Sequence, residues 1–342
     1  MTAPAPPVPL TLTRPPRALA IASFVSSFDR FAVTPMLVLI ALDLRVPLAA
    51  AVAAASGYFL AYGLSQPLWG VLSDRFGRVR VMRVALLGAA LAGAVSAAMP
   101  VLGALIGCRI VVGACFGAVI PTSLTYVGDT VEARVRQRAL TDLMAAAALG
   151  TAVATGLGGV LADVLDWRVV FIVPAACALA CAVALRALPE PPRAPIGGLG
   201  RHVGAVLRKP WALLVFALAF VEGAVLLGTM AFLATALVHH GVATAVAGLA
   251  TAAYGLGLWL FSQLVKRLSG RWPAPVLIAV GGAQLCAGYV IVTMNVSLAT
   301  VAVTALLLGG GWSFIETPRA WKPPSSGRGG NAAQCRRARY CV

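Results

Sequence analysis

Gly70-Val-Leu-Ser-Asp74-Arg75-Phe-Gly77-Arg78-Val-Arg80-Val-Met-Arg83 is a polar island in an apolar chain. Apolar runs flank it at residues 49–72 and 81–99. Each is long enough to cross a bilayer, which takes about 20 apolar residues as a helix. Moving outward, further apolar runs fall at 18–42, 102–127, 138–162, 168–188, 210–238, 244–265, 274–293 and 297–316. That makes ten candidate spans. They lack period-two alternation, so the spacing predicts helices and not a membrane barrel. The whole chain agrees: of 342 residues 60% are hydrophobic and only 11% charged, with a mean hydropathy of +0.90. A soluble domain carries about 25% charged residues, and this chain has too few to coat a soluble core. The composition excludes a disordered chain, a nucleic-acid-binding domain and most soluble enzymes.

The net charge of +16 reads as topology. Alternate loops hold Arg14 and Arg17; Arg75, Arg78, Arg80 and Arg83; Arg134, Arg136 and Arg138; Arg186, Arg193, Arg201, Arg208 and Lys209; and Lys266, Arg267 and Arg271. The opposite loops hold only Arg45 and Arg168. Such a bias predicts a cytoplasmic N-terminus and a cytoplasmic loop after the sixth span, in a multi-pass plasma-membrane protein. The first apolar run is read as a retained helix, since no small-residue cleavage site ends it. The seven cysteines have no disulfide or metal spacing, and no cofactor is implied.

The 70–83 island closely resembles the G-x-L-a-D-R-x-G-R-(R/K) signature of the major facilitator superfamily, which lies between its second and third helices. Physically, Gly70 and Gly77 permit close helix approach and a tight turn. Asp74 offers an acceptor to a cation or to a helix N-terminus. Arg75 and Arg78 fix topology. Arg109-Ile-Val-Val-Gly113-Ala-Cys-Phe-Gly117 is similar to the family's R-x-x-x-G-x-x-x-G in helix four, a buried charge beside a small-residue face. Gly150 and Thr155-Gly156-Leu157-Gly158-Gly159 resemble the antiporter signature of helix five, with Thr155 where the family has proline. Trp167-Arg168-Val-Val-Phe171 resembles the W-R-x-x-F start of helix six, and 262–271 reads as a degenerate second copy of the island.

Membership of that family would imply a fold of two six-helix bundles. The expected organisation is a cytoplasmic segment 1–17, a six-helix bundle 18–188, a linker 189–209, a partial bundle of four helices 210–316, and an atypical basic tail 317–342. Helices eleven and twelve are then expected to be missing; the tail is either a genuine cytoplasmic tail or the product of a reading frame lost near Ile315, and the resemblance favours the second. The implied activity is proton-coupled efflux of small molecules, of drug or sugar type, by a monomer with protons as coupling ion. The inner gate is expected at Gly70, Asp74, Arg75, Gly77 and Arg78. Helix packing is expected at Gly113, Gly117, Gly156, Gly158 and Gly159. Asp29, Arg109 and Glu222, ionisable residues deep in spans, are expected to converge on one water-filled cavity. Either acid could accept a proton there, because an isolated charge in a span is costly. Asp29 and Arg30 are adjacent and point about 100° apart on a helix, which argues against their pairing. A ten-helix transporter of the drug/metabolite type, built from five-plus-five repeats, is the alternative. A non-transporting or enzymatic membrane protein is a third reading, with no polar constellation to support it.

Overall fold

The computed structural model describes residues 12–13, 16–191, 208–268 and 271–316. It is a bundle of long helices, and no strand occurs among the described residues. Among the described residues nine helices are long and apolar enough to cross a membrane: Arg17–Asp43, Leu48–Phe76, Arg78–Ala97, Leu102–Thr130, Ala133–Val164, Trp167–Ala187, Thr244–Val265, Pro275–Met294 and Leu298–Ile315. We number these spans one to six and eight to ten. The 30-residue helix Pro210–His239 is span seven.

Two spans are interrupted where the sequence reads as continuous. Span one breaks into a 3-10 turn at Thr34–Met36 around Pro35. Span four stops at Phe116 and restarts at Val119. Pro121 has no N–H with which to bond Gly117, so the helical ladder fails just there. Span two carries Pro67 and span six Pro174 without a break.

Each half has its own apolar core. In spans one to six it falls into two clusters, one from Leu19 to Leu185 and one from Phe28 to Phe171. The other half's core lies in spans seven to ten, from Leu226 to Phe314. Span five connects the halves. A side chain at Gly150 would strike the Phe24 carbonyl of span one, and one at Gly158 would lie 3.2 Å from Ala32. On its other side, a side chain at Gly159 would lie 2.7 Å from the Thr244 carbonyl, and one at Gly156 3.5 Å from Ala252, both in span eight. The helix runs unbroken through Thr155, which donates back to the Ala152 carbonyl at 3.2 Å. A second bridge lies nearby, where Thr235 of span seven donates to the Thr34 carbonyl of span one at 3.3 Å. These bridges gather toward the end of the molecule opposite the basic loops. The basic tail 317–342 and the linker residues 192–207 lie outside the described residues.

Candidate functional site

Arg109 is the largest fully buried side chain, with no measurable exposure. Its position follows from the glycine four residues later. Gly113 lets the backbone of span two at Tyr58 touch span four, and a Cβ there would overlap the Tyr58 carbonyl. Gly117 repeats the contact one turn on, where a Cβ would lie 2.7 Å from the Tyr62 carbonyl. Ser65 and Trp69 then both donate to the Ala114 carbonyl, at 2.9 and 2.6 Å. This close seam brings the Tyr58 ring to 4.7 Å from the Arg109 guanidinium. Phe171 of span six covers the other face at 4.6 Å. The edge of the guanidinium meets Asp29 of span one. Nη1 donates to Oδ1 at 3.2 Å, and Nη2 donates to Oδ2 at 2.9 Å and to the Asp29 carbonyl at 3.3 Å. Four spans thus meet on one charge, compensated by a bidentate partner and two ring faces.

The pair is enclosed by protein, with Asp29 only 2% exposed. Arg30 turns away from Asp29, as adjacent helical positions must. It stacks over Phe31 and Tyr62 at 4.8 and 4.7 Å. Ser23, Ser27, Arg30 and Thr34 recur at helical spacing and form one stripe of span one. Along it, Ser23 Oγ, Ser27 Oγ and Arg30 Nε are buried without a partner, as are Tyr58 Oη and Arg109 Nε nearby. Buried polar atoms are rarely left so.

Glu222 lies on span seven. Its side chain lies outside the described residues, but its backbone can be placed by register. Thr34 and Thr235 mark a common height on spans one and seven. Asp29 is five residues below Thr34, and Glu222 thirteen below Thr235. At 1.5 Å per residue Glu222 is about 12 Å nearer the basic end.

At the basic end, Gly77 has φ +105°, a conformation glycine adopts freely, and turns the chain from span two into span three. Arg78 Nη1 donates to Asp74, and Arg78 Nε donates to Asp129 Oδ2, 3.1 Å away at the end of span four. Ser73 Oγ accepts from Arg78 at 2.9 Å and donates to the Gly70 carbonyl at 2.7 Å. Arg75 lies over the Phe76 ring. The N-terminus of span three is capped by Glu190, not by Asp74. The Val79 and Arg80 amides each donate to its carboxylate at 3.1 Å. A Cβ at Gly77 would lie 2.6 Å from that carboxyl carbon. Gly70, by contrast, faces open space, with no other described element within 4 Å of a Cβ placed there. The network joins elements of the first half. Glu190, which the sequence assigns to the linker, is anchored to that half.

At the far end Asp43 accepts from Trp167 at 3.3 Å and pairs with Arg168 at 2.9 Å. Asp166 caps span six through the Arg168 amide at 2.7 Å. Sequence reasoning missed Tyr58, Phe171, Asp129, Glu190 and Asp43. The only signal for Phe171 was the W-R-x-x-F spacing. Residues 269–270 of the degenerate repeat lie outside the described residues.

Comparison with known proteins accounts for this arrangement. The sequence model of the Major Facilitator Superfamily matches residues 19–320. A triacylglyceride transporter of Mycolicibacterium smegmatis is 36% identical over 117 residues, 34% of this chain and 21% of that protein. Puromycin resistance protein pur8 of Streptomyces alboniger is 34% identical over 140 residues, 40% of this chain and 27% of that protein. The aligned part of the chain thus spans about a quarter of the length of these relatives. A crystal structure of a D-xylose-proton symporter superposes with a TM-score of 0.66 at 16% identity, covering 88% of this chain and 80% of that one.

Proposed function

The chain belongs to the major facilitator superfamily of transporters, and on that premise we propose that it exports small organic molecules in exchange for protons by alternating access. The observation that carries this reading is the Arg109–Asp29 pair, buried at membrane depth beside a stripe of unpartnered polar atoms. A proton on Asp29 cancels the charge that holds Nη1 and Nη2 of Arg109. The bond between spans one and four then weakens, and the guanidinium becomes free to meet the stripe. Loss of the proton restores the clamp. The two states differ by one charge-assisted bidentate contact, the kind of differential interaction that a two-state cycle requires.

The Asp74–Arg78–Asp129 cluster is proposed as the inner gate, since it ties the turn after span two to the end of span four. The bridges from span five to span eight and from Thr34 to Thr235 support a state closed at the far end. Amphipathic drug-like molecules are the proposed cargo. The names of the relatives, one conferring puromycin resistance and one moving triacylglycerides, support that class. The plasma membrane, a cytoplasmic N-terminus and a monomeric carrier complete the proposal.

The test is puromycin-induced proton release from acid-loaded everted membrane vesicles, read with a pH-sensitive dye. The unmodified chain should release protons on puromycin addition, and Asp29→Asn should not. Glu222→Gln should retain release, because its backbone stands at a different height. Undiminished release by Asp29→Asn would overturn the coupling role, and loss in Glu222→Gln alone would move the proton to span seven.

A further inference from the structure

Spans three and six pack side by side, and their outer faces enclose a groove of about 430 Å³. Its walls run from Leu87 to Ala94 on span three and from Ile172 to Leu179 on span six. Every lining side chain is Leu, Ile or Ala, so in a membrane the groove opens onto hydrocarbon. Both walls end in an arginine on the same face. Arg83 is one turn before Leu87, and Val183 and Arg186 continue the Ile172, Ala176, Leu179 row.

The two arginines also share a depth. A Cβ at Gly93 would lie 3.1 Å from the Ala175 Cβ, which sets the register of the two spans. From that crossing Arg83 is ten residues away and Arg186 eleven, about 15–16 Å along each helix. Neither arginine has a carboxylate partner among the described residues. Three nearby acids are engaged elsewhere: Glu190 on the Val79 and Arg80 amides, Asp74 and Asp129 on Arg78. Arg83 Nε is buried with no hydrogen-bond partner, and Arg186 is exposed.

We propose that this groove is a binding site for one anionic phospholipid of the leaflet at the basic end. The phosphate takes Arg83 and Arg186, and one acyl chain lies between spans three and six. A second copy of the chain fits the face poorly. A two-fold contact there would set the same arginines against each other at one depth.

Native mass spectrometry of the full chain in neutral detergent tests this, with phosphatidylglycerol and phosphatidylcholine as probes at equal concentration. The unmodified chain should retain phosphatidylglycerol in preference. Arg83→Gln and Arg186→Gln should each lower retention about five-fold, and the double variant about 25-fold. Ala176→Phe, which fills the groove at an exposed position and leaves the charge alone, should also lower it. Arg45→Gln at the far end should not. Equal retention of the two lipids, or undiminished retention by the double variant, would show ordinary solvating lipid and overturn the site. So would a dimer that Ala176→Phe dissociates, which would make the face an interface between copies. If Arg83→Gln does not fold, the exposed Arg186→Gln and Ala176→Phe decide alone. No transport is measured, so the outcome is independent of the coupling reading.

Discussion

Replacing Asp29 by Asn keeps the side chain's shape and one acceptor oxygen but removes its charge. Arg109 then remains a cation with no exposure, facing two rings and an amide. Breaking a buried pair from one side costs about 3–5 kcal/mol, because the remaining charge is uncompensated. The Tyr58 and Phe171 faces survive and hold back about 0.5–2 kcal/mol each. An unfolded reference within a micelle also offers alternative partners, so the low end, about 3 kcal/mol, is expected. That is a factor of about 10² in the folded-to-unfolded ratio. Removing both charges, as Asp29→Leu with Arg109→Met, leaves apolar groups of similar volume, and such replacements are often neutral or stabilising. The expected order is therefore wild type near the double variant, with Asp29→Asn well below both. Unfolding by SDS titration in mixed micelles, followed through the chain's seven tryptophans, measures it. The reasoning is refuted if Asp29→Asn falls within about 1 kcal/mol of wild type, or if the double variant is no more stable than Asp29→Asn. Stability and transport should separate in the double variant, which keeps the fold and loses proton release.

Three further outcomes are expected. Gly113→Val should push spans two and four apart at Tyr58, costing about 1–3 kcal/mol, seen as a lower melting temperature in detergent. Gly77→Ala should cost about 1–3 kcal/mol through its φ of +105°, and Glu190→Gln about 1 kcal/mol through the weakened cap. Together they should cost less than their sum, because an added methyl at position 77 already displaces Glu190. Single cysteines placed in 70–80, 130–138 or 195–205, on a chain freed of its own cysteines, should resist a membrane-impermeant thiol reagent added to intact cells. Labelling there would reverse the orientation.

The positions of the spans were legible because the physics behind them is local. A bilayer demands a length of apolar helix, and length and hydropathy are properties of contiguous residues. Arg109 and Asp29 were legible as candidates for the same reason, being charges where charge is costly. Their partnership was not, because 80 residues separate them and helix rotation is set by tertiary packing. Tyr58 and Phe171 escaped notice since an aromatic ring in a span packs in most settings, and only geometry shows one clamping a cation. Glu190 looked like linker because nothing in its own neighbours announces the helix end that it caps, 110 residues earlier. The glycines divide similarly. Gly113 and Gly117 follow a small-residue pattern whose purpose the seam explains, whereas Gly70 matches its motif and faces open space. The break in span four had a signal, Pro121, overlooked within an otherwise apolar run.

Where span five crosses span eight, the site of a side chain at Gly159 is only 3.3 Å from the α-carbon of Gly248, and the reverse holds at Gly248. Elsewhere in a core, a residue that grows can be accommodated by a neighbour that shrinks. Here both neighbours are already at the smallest size the genetic code allows, so no exchange between them is possible. The crossing has no remaining compensatory freedom. Descendants of this chain can alter the separation of the two halves only by moving whole helices. Sequence drift at 159 and 248 should accordingly be arrested even in lineages whose cargo has changed.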